Sequence, residues 1–160
     1  MKLRQITIYG ALVLLAILLD QVVKVIVEAW LPLHEQVDIL PFLALVHARN
    51  TGVAFSFFSG VDGLWLSLMM LAIIIFMAVL AMRTDSAQIF ARLGFALIIG
   101  GALGNLIDRA VRGFVVDYVY FHTPVWSFAI FNLADALITV GAGLVIIEEL
   151  LSLRRVRQRS

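Results

Sequence analysis

Four long apolar stretches dominate the chain and restrict what it can fold into. They cover about residues 6 to 29, 64 to 82, 89 to 107 and 133 to 150, and each is near the ~20 residues that a helix needs to cross a bilayer. The composition agrees, because 62% of the residues are hydrophobic and 14% are charged, whereas soluble domains are about half apolar and a quarter charged. We therefore predict an all-α membrane protein with four transmembrane helices and one domain, residues 1–160.

Basic residues predict the orientation of these helices, because Lys and Arg are enriched in cytoplasmic flanks. One side of the bundle holds Lys2, Arg4, Arg83, Arg92, Arg154, Arg155, Arg157 and Arg159, and the other side holds Arg49, Arg109 and Arg112. Both termini are then expected in the cytoplasm, and the connections 30–63 and 108–132 on the outer side. In the first connection, Phe42 to Thr51 (FLALVHARNT) predicts a short strand or hairpin at the membrane surface.

Several functional classes are not favoured by the composition. The net charge is only +1 and the basic residues are dispersed, so no nucleic-acid surface is expected. The chain has no cysteine, which excludes disulfides, thiolate metal sites and cysteine lipidation of the chain itself. The histidines, His34, His47 and His122, do not form HExxH or a comparable ligand spacing, so we expect no metal and no cofactor.

Polar residues inside the apolar stretches are costly, at about 2.5 to 3.5 kcal/mol for each charged group, and usually have a partner or a function. Counted at a rise of about 1.5 Å per residue from the cytoplasmic end of each helix, four of them lie about 20 to 24 Å deep. They are Asp20, Asn105, Asp108 and Asp135. In a hydrocarbon core about 30 Å thick, all four belong to the outer third. Three helices therefore bring carboxylates to one layer.

The three asparagines of the chain support the same layer, because Asn50, Asn105 and Asn132 each adjoin one of these polar clusters. A purely structural interpretation stays open for the whole set. Amides and carboxylates also join transmembrane helices through hydrogen bonds that are worth about 0.6 to 2 kcal/mol each.

Two parts of this layer are predicted to be structural. Asp20 and Lys24 are four residues apart on one helix face, and we expect them to hold the first helix against the site. The alternative is that Lys24 contacts substrate backbone or a headgroup. The stretch Gly100 to Arg109 (GGALGNLIDR) has small residues that allow close helix packing. Arg109 is expected to pair with Asp108 or Asp20, which would give Asp108 a structural role.

Two other aspartates form the candidate catalytic pair. Asp117 lies in the apolar segment Val115 to Tyr118 (VVDY), just outside the membrane, and Asp135 lies in the first turn of the fourth helix. Two nearby carboxylates share one proton, so the ionised member can activate water while the protonated member donates to a peptide carbonyl. Asp135 also suits a helix cap, and which aspartate acts as the base stays open.

The residues leave three other functions open. A serine and lysine pair is conceivable with Lys24 and Ser56 or Ser59, but no serine lies in a recognisable nucleophile setting. A small proton-coupled transporter could use the buried carboxylates as relays, although no inverted repeat is visible and the candidates lie at one face. A purely structural membrane scaffold is the third alternative.

Five motifs, in order and spacing, resemble those of the bacterial lipoprotein signal peptidases. They are Asp20 with Lys24, Asn50 to Ser56 (NTGVAFS), Gly104 to Arg109 (GNLIDR), Asp117, and Asn132 to Asp135 (NLAD). The resemblance implies an aspartyl endopeptidase with Asp117 and Asp135 as its dyad. It also implies supporting or substrate-binding roles for further residues at the motif positions, namely Asn50, Gly52, Asn105, Asp108, Arg109 and Asn132.

The resemblance further implies the substrate and the surroundings of the enzyme. Such enzymes lie in the bacterial inner membrane and cleave a prolipoprotein before a cysteine that carries diacylglycerol, and globomycin inhibits them. A small β-cradle and a short interfacial helix would fall in residues 35–62 and 110–130. Phe55, Phe57 and Phe58 would form an interfacial cover over the peptide, or anchor the chain among the headgroups. We expect a monomer, with membrane lipid and the lipidated precursor as its partners.

Overall fold

The computed structural model describes residues 3–52 and 63–157. This part of the chain contains four long helices, each apolar and long enough to cross a membrane, which confirms the predicted fold class. They are α1 (Leu3–Trp30), α2 (Gly63–Arg83), α3 (Ile89–Arg112) and α4 (Leu133–Arg157). All four predicted stretches fall on these helices. The predicted ends of α3 and α4, residues 107 and 150, are too early, because the helices continue to Arg112 and Arg157.

Helix α3 is the centre of the bundle. In its most apolar window 61% of the residues are buried inside the protein, against 11% to 22% for the other three helices. Small residues allow this close packing. A Cβ atom at Gly100 would lie 2.7 Å from Ala16 Cβ of α1, and one at Gly101 would lie 2.5 Å from the carbonyl oxygen of Ala134 in α4. The close helix packing predicted for the glycine-rich stretch of α3 is therefore confirmed.

Three short strands cover one end of the bundle, which we call the sheet end. The strands β1 (Gln36–Leu40), β2 (Leu43–Asn50) and β3 (Val115–Phe121) form an antiparallel sheet in that order. The strand predicted between residues 42 and 51 is β2. In the register of β2 and β3, Ala48 pairs with Asp117. This pairing brings Asp117 close to the end of β2, where Asn50 lies.

The inner face of the sheet packs on the ends of two helices. Val116 and Tyr118 of β3 are buried against Val27 of α1, and Leu133 at the start of α4 packs on the same cluster. The Tyr118 hydroxyl accepts a hydrogen bond of 3.0 Å from the Leu133 amide. Burial raises the pKa of this hydroxyl to about 12, so it stays protonated. Strand β3 and the first turn of α4 are therefore fixed to each other.

The short interfacial helix has no counterpart in the described parts of the two connections, residues 31–52 and 113–132. Residues 53–62 lie outside the described residues, and with them the proposed cover of Phe55, Phe57 and Phe58 and the two serines of the serine–lysine alternative.

Candidate active site

A cavity of about 680 Å³ lies at the sheet end, between α2 and α4. Five of the residues singled out in the sequence line it, and most of the remaining lining is apolar. The five are Asn50, Asn105, Arg109, Asp117 and Asp135. Asp117 from β3 and Asp135 from α4 therefore face the same space. The two aspartates that the sequence proposed as a pair are brought together by separate elements.

Asp117 is held by amide groups on both of its oxygens. Its side chain is only 3% exposed. Asn50 Nδ2 donates to Asp117 Oδ2 at 2.9 Å, and Asn132 Nδ2 donates to Oδ1 at 2.6 Å. Burial raises the pKa of Asp117 to about 6, an effect that the two amides oppose and the nearby charge of Asp135 reinforces.

Asp135 lies in a capping box at the start of α4. Asn132 precedes the helix, and its Oδ1 accepts a hydrogen bond of 3.0 Å from the Asp135 amide. Asp135 Oδ2 in turn accepts a bond of 3.3 Å from the Asn132 amide. The capping role expected as an alternative for Asp135 is therefore present. It occupies only one carboxylate oxygen, and the other oxygen, Oδ1, accepts a bond of 2.8 Å from Asn105 Nδ2.

The asparagine side chains connect the two carboxylates. Asn132 Nδ2, which donates to Asp117, also lies 3.3 Å from Asn105 Oδ1, and Asn105 donates to Asp135. Asn132 and Asn105 are both buried, with 0% and 6% of their surface exposed. In this dry setting hydrogen bonds are strong and an unpaired polar group is costly. The amides therefore fix the position of both carboxylates relative to each other.

Behind the cavity, α1 supplies a fully buried ion cluster. Lys24 Nζ lies 2.8 Å from Asp20 Oδ2 and 2.8 Å from Asp108 Oδ2, and all three side chains are 0% exposed. Asp20 Oδ1 also accepts a hydrogen bond of 3.1 Å from the amide of Ala134 in α4. The expected contact of Asp20 and Lys24 is present, and it joins α1 to both α3 and α4.

The expected pairing of Arg109 with Asp108 or Asp20 is wrong. Asp108 instead pairs with Arg112, at 2.5 Å from Nη1 to Oδ1. Residues four apart lie on one helix face, whereas adjacent residues are about 100° apart around the axis. Asp108 does not line the cavity. Besides its ion pairs, it accepts hydrogen bonds from the Gln21 side chain and from the amide of Val116 in β3.

Arg109 points from α3 into the cavity. Its Nη2 donates to the carbonyl oxygen of Gly52 at 2.6 Å, and its Nη1 lies 3.2 Å from Met70 Sδ of α2. The Gly52 amide donates to Asn50 Oδ1 at 3.0 Å. Arg109, Gly52 and Asn50 thus form a chain of contacts that ends at Asp117. Among the described residues, Arg109 Nε is buried and has no hydrogen-bond partner.

Comparisons with known proteins agree with this site. The chain matches the family model for signal peptidase (SPase) II over residues 12–151. The chain belongs to the signal peptidase II family. It is 58% identical over 147 residues to the lipoprotein signal peptidase of Mesorhizobium japonicum, covering 92% of this chain and 88% of that protein. The lipoprotein signal peptidase of Brucella ovis is 53% identical over 145 residues, covering 91% of each protein.

Solved structures of two bacterial membrane enzymes, obtained by the in meso method, share the fold. The first, at 2.3 Å resolution, has a TM-score of 0.84 and 29% identity, covering 92% of this chain and 90% of that one. The second, at 1.9 Å resolution, has a TM-score of 0.80 and 29% identity, covering 91% and 94%. As a signal peptidase II, the chain is a multi-pass membrane peptidase that removes signal peptides from prolipoproteins. This sets aside the transporter and the scaffold.

Several residues around the signal peptidase II site were missed in the sequence. Gln21 donates to Asp108 Oδ1 at 3.0 Å, and Arg112 also pairs with Glu28 at 3.0 Å. The spacing of Asp108 and Arg112 was a usable signal for their pair. Nothing in the uniformly apolar sequence of α2 marked Met69 and Met70 as cavity-lining residues.

Proposed function

We propose that Asp117 and Asp135 are the catalytic pair of an aspartyl endopeptidase, which cleaves a diacylglyceryl-modified prolipoprotein just before its lipidated cysteine. The observation that carries the proposal is the shared cavity, in which two carboxylates from separate elements are joined through Asn132 and Asn105. A purely structural pair would be expected to bond with each other or with a cation and to face away from an open cavity.

The chemistry needs one proton on the pair. The ionised carboxylate removes a proton from water as the water oxygen attacks the scissile carbonyl carbon, and the protonated carboxyl donates to the carbonyl oxygen. Collapse of the tetrahedral intermediate breaks the C–N bond, and the amine of the cysteine leaves with a proton from the pair. The pKa of Asp117, about 6, lies far closer to neutral pH than that of an ordinary carboxyl. The apparent titrations belong to the pair, and either aspartate can be the base.

The lining of the cavity suits a substrate that arrives from the lipid. Below the aspartates it is formed by apolar side chains of α2 and α4, including Met69, Ile73 and Ile138. Methionine adapts to ligands of varied shape, as signal peptides of different sequence require. Arg109 offers N–H donors to a substrate carbonyl, because its only other described contacts are one carbonyl and one thioether.

The proposed topology places the sheet end outside the cell membrane and both termini in the cytoplasm, in the bacterial inner membrane. It rests on the excess of Lys and Arg around the opposite end of the bundle. We propose that the enzyme acts as a monomer and that globomycin inhibits it.

The test uses purified protein and a synthetic lipidated precursor, with and without globomycin. Asp117→Asn and Asp135→Asn are each expected to lower kcat by about 10²- to 10⁴-fold, the usual contribution of general acid–base catalysis. The matched control is Asp38→Asn, since Asp38 is an exposed aspartate of β1 that lies outside the cavity lining. Circular dichroism checks that all three variants fold. Normal turnover by Asp117→Asn or Asp135→Asn would refute the proposed pair.

A further inference from the structure

Lys24 has a third contact besides its two carboxylates. Its Nζ donates to Asn105 Oδ1 at 2.8 Å, and both side chains are buried. Asn105 is the residue that donates to Asp135 Oδ1. A continuous path of two hydrogen bonds therefore leads from the ammonium group in α1 to a proposed catalytic carboxylate in α4, although Lys24 does not line the cavity.

The chemistry of the ammonium group decides which way the Asn105 amide faces. An ammonium group can only donate hydrogen bonds, so Asn105 must present its oxygen to Lys24. Its NH₂ group then points at Asp135. The opposite rotamer would place Nδ2 against the ammonium group and Oδ1 against an ionised carboxylate, leaving two unfavourable contacts in a dry environment.

The other two asparagines of the site are oriented differently. Asn132 Oδ1 accepts from the Asp135 amide, and Asn50 Oδ1 accepts from the Gly52 amide. Both of these donors belong to the backbone and are present whatever the side chains are. Of the three asparagines, Asn105 alone has its oxygen held mainly by a charged side chain, because its other donor, Asn132 Nδ2, is at 3.3 Å.

We infer that Lys24 is a positioning residue for the reaction, because it turns the Asn105 amide N–H onto Asp135. The inference rests on the proposed catalytic role of Asp135. This role is separate from the neutralisation of Asp20 and Asp108, which a lysine with a purely structural role would also provide.

Replacing Lys24 has a defined consequence for the pair. Without the ammonium group Asn105 is free to rotate, and Asp135 loses a donor that favours its ionised form. The positive charge is lost as well, and that charge acts to lower the pKa of Asp117. Within the described part of the chain, Arg109 of α3 and Tyr118 of β3 also interact electrostatically with both carboxylates, and Asp20 and Asp108 flank Lys24. The rate should therefore fall mainly in kcat, and the acidic limb of the rate profile should move to higher pH.

The experiment is a double-mutant cycle with Lys24→Met, Asn105→Ala and the double variant, on purified enzyme and a synthetic lipidated precursor. Each single variant is expected to lower kcat by about 10- to 100-fold, the range seen when a residue that orients a metal ligand from outside the coordination shell is replaced. In Lys24→Met, KM should change by less than about threefold, because Lys24 does not line the cavity. When kcat is compared at the pH optimum of each variant, so that the direct effect of the lost charge on the pair does not enter, the double variant should be no slower than Asn105→Ala. The inference would be overturned if the kcat losses of the two single variants multiplied in the double variant. It would also be overturned if Lys24→Met left the acidic limb of the rate profile in place.

Asp108→Asn is the matched control, because it breaks one ion pair of Lys24 and leaves the contact with Asn105. It should lower thermal stability without moving the acidic limb to higher pH, since it removes a negative charge. If Lys24→Met does not fold, Lys24→Met/Asp108→Asn restores the net charge and takes its place in the cycle. Activity in Asp117→Asn or Asp135→Asn would contradict the proposed function itself. If both aspartates are required but the kcat losses of Lys24→Met and Asn105→Ala multiply in the double variant, only the role of Lys24 is refuted.

Discussion

At the scale of single residues, the pKa of Asp117 makes a prediction about pH. Burial raises it to about 6, so with Asp117 as the ionised member of the pair kcat/KM should fall on the acidic side near that value. Asn50 donates to Asp117 Oδ2 and favours the ionised form. Asn50→Ala should therefore raise the apparent pKa of the pair and move the acidic limb to higher pH. The measurement is kcat/KM from pH 4.5 to 8. A limb that stays in place or moves to lower pH would contradict this account.

Much of the site could be predicted at this scale, because each polar group in an apolar segment is costly and therefore informative. Asp117, Asp135 and the three asparagines were identified in this way. The partner of Asp108 was not predicted correctly. Arg109 and Arg112 are both near it in the sequence, and only the helix geometry selects Arg112. The orientation of each side-chain amide could not be predicted from the sequence either. It depends on donors, such as Lys24 and the Gly52 amide, that only the fold brings close.

At the scale of elements, the contact of α3 with α4 sets the position of Asp135. A Cβ atom at Gly101 would lie 2.5 Å from the Ala134 carbonyl oxygen, a backbone atom that cannot rotate away. Gly101→Ala should therefore push the first turn of α4 away from Asn105, and lower both kcat and the melting temperature. The control is Gly143→Ala in α4, where a Cβ atom meets nothing within 4 Å. This control should be neutral or stabilising by up to about 1 kcal/mol. Equal behaviour of the two variants would contradict the close-packing argument.

The ends of the helices show why element boundaries were harder to predict than the elements. The sequence ended α3 before Asp108 because charged residues normally leave the membrane there. In the structure the helix continues to Arg112, since Lys24 and Arg112 neutralise Asp108. Strand β1 was not predicted separately, because all five of its residues are exposed and no buried face imposes a pattern.

At the scale of the whole molecule, the space between α2 and α4 is the proposed path of the substrate. Ile73 lines the cavity, whereas Ile75 on the same helix does not line it and is 56% exposed. Ile73→Trp should fill part of the cavity and raise KM for the lipidated precursor about tenfold, which corresponds to about 1.4 kcal/mol of lost binding. Ile75→Trp should leave KM unchanged, because it faces lipid. Equal KM values in the two variants would argue that the substrate does not enter between these helices.

The orientation of the whole molecule can be tested because the chain has no cysteine. Single cysteines can be placed at Ser86, which is exposed in the connection between α2 and α3, and at Thr123, which is exposed after β3. If the basic flanks face the cytoplasm, a membrane-impermeant maleimide should label Thr123→Cys in spheroplasts and should label Ser86→Cys only after the membrane is opened. Retained cleavage of the precursor confirms that each variant is folded. The reverse labelling pattern would place the proposed site on the cytoplasmic face, where a translocated precursor could not reach it.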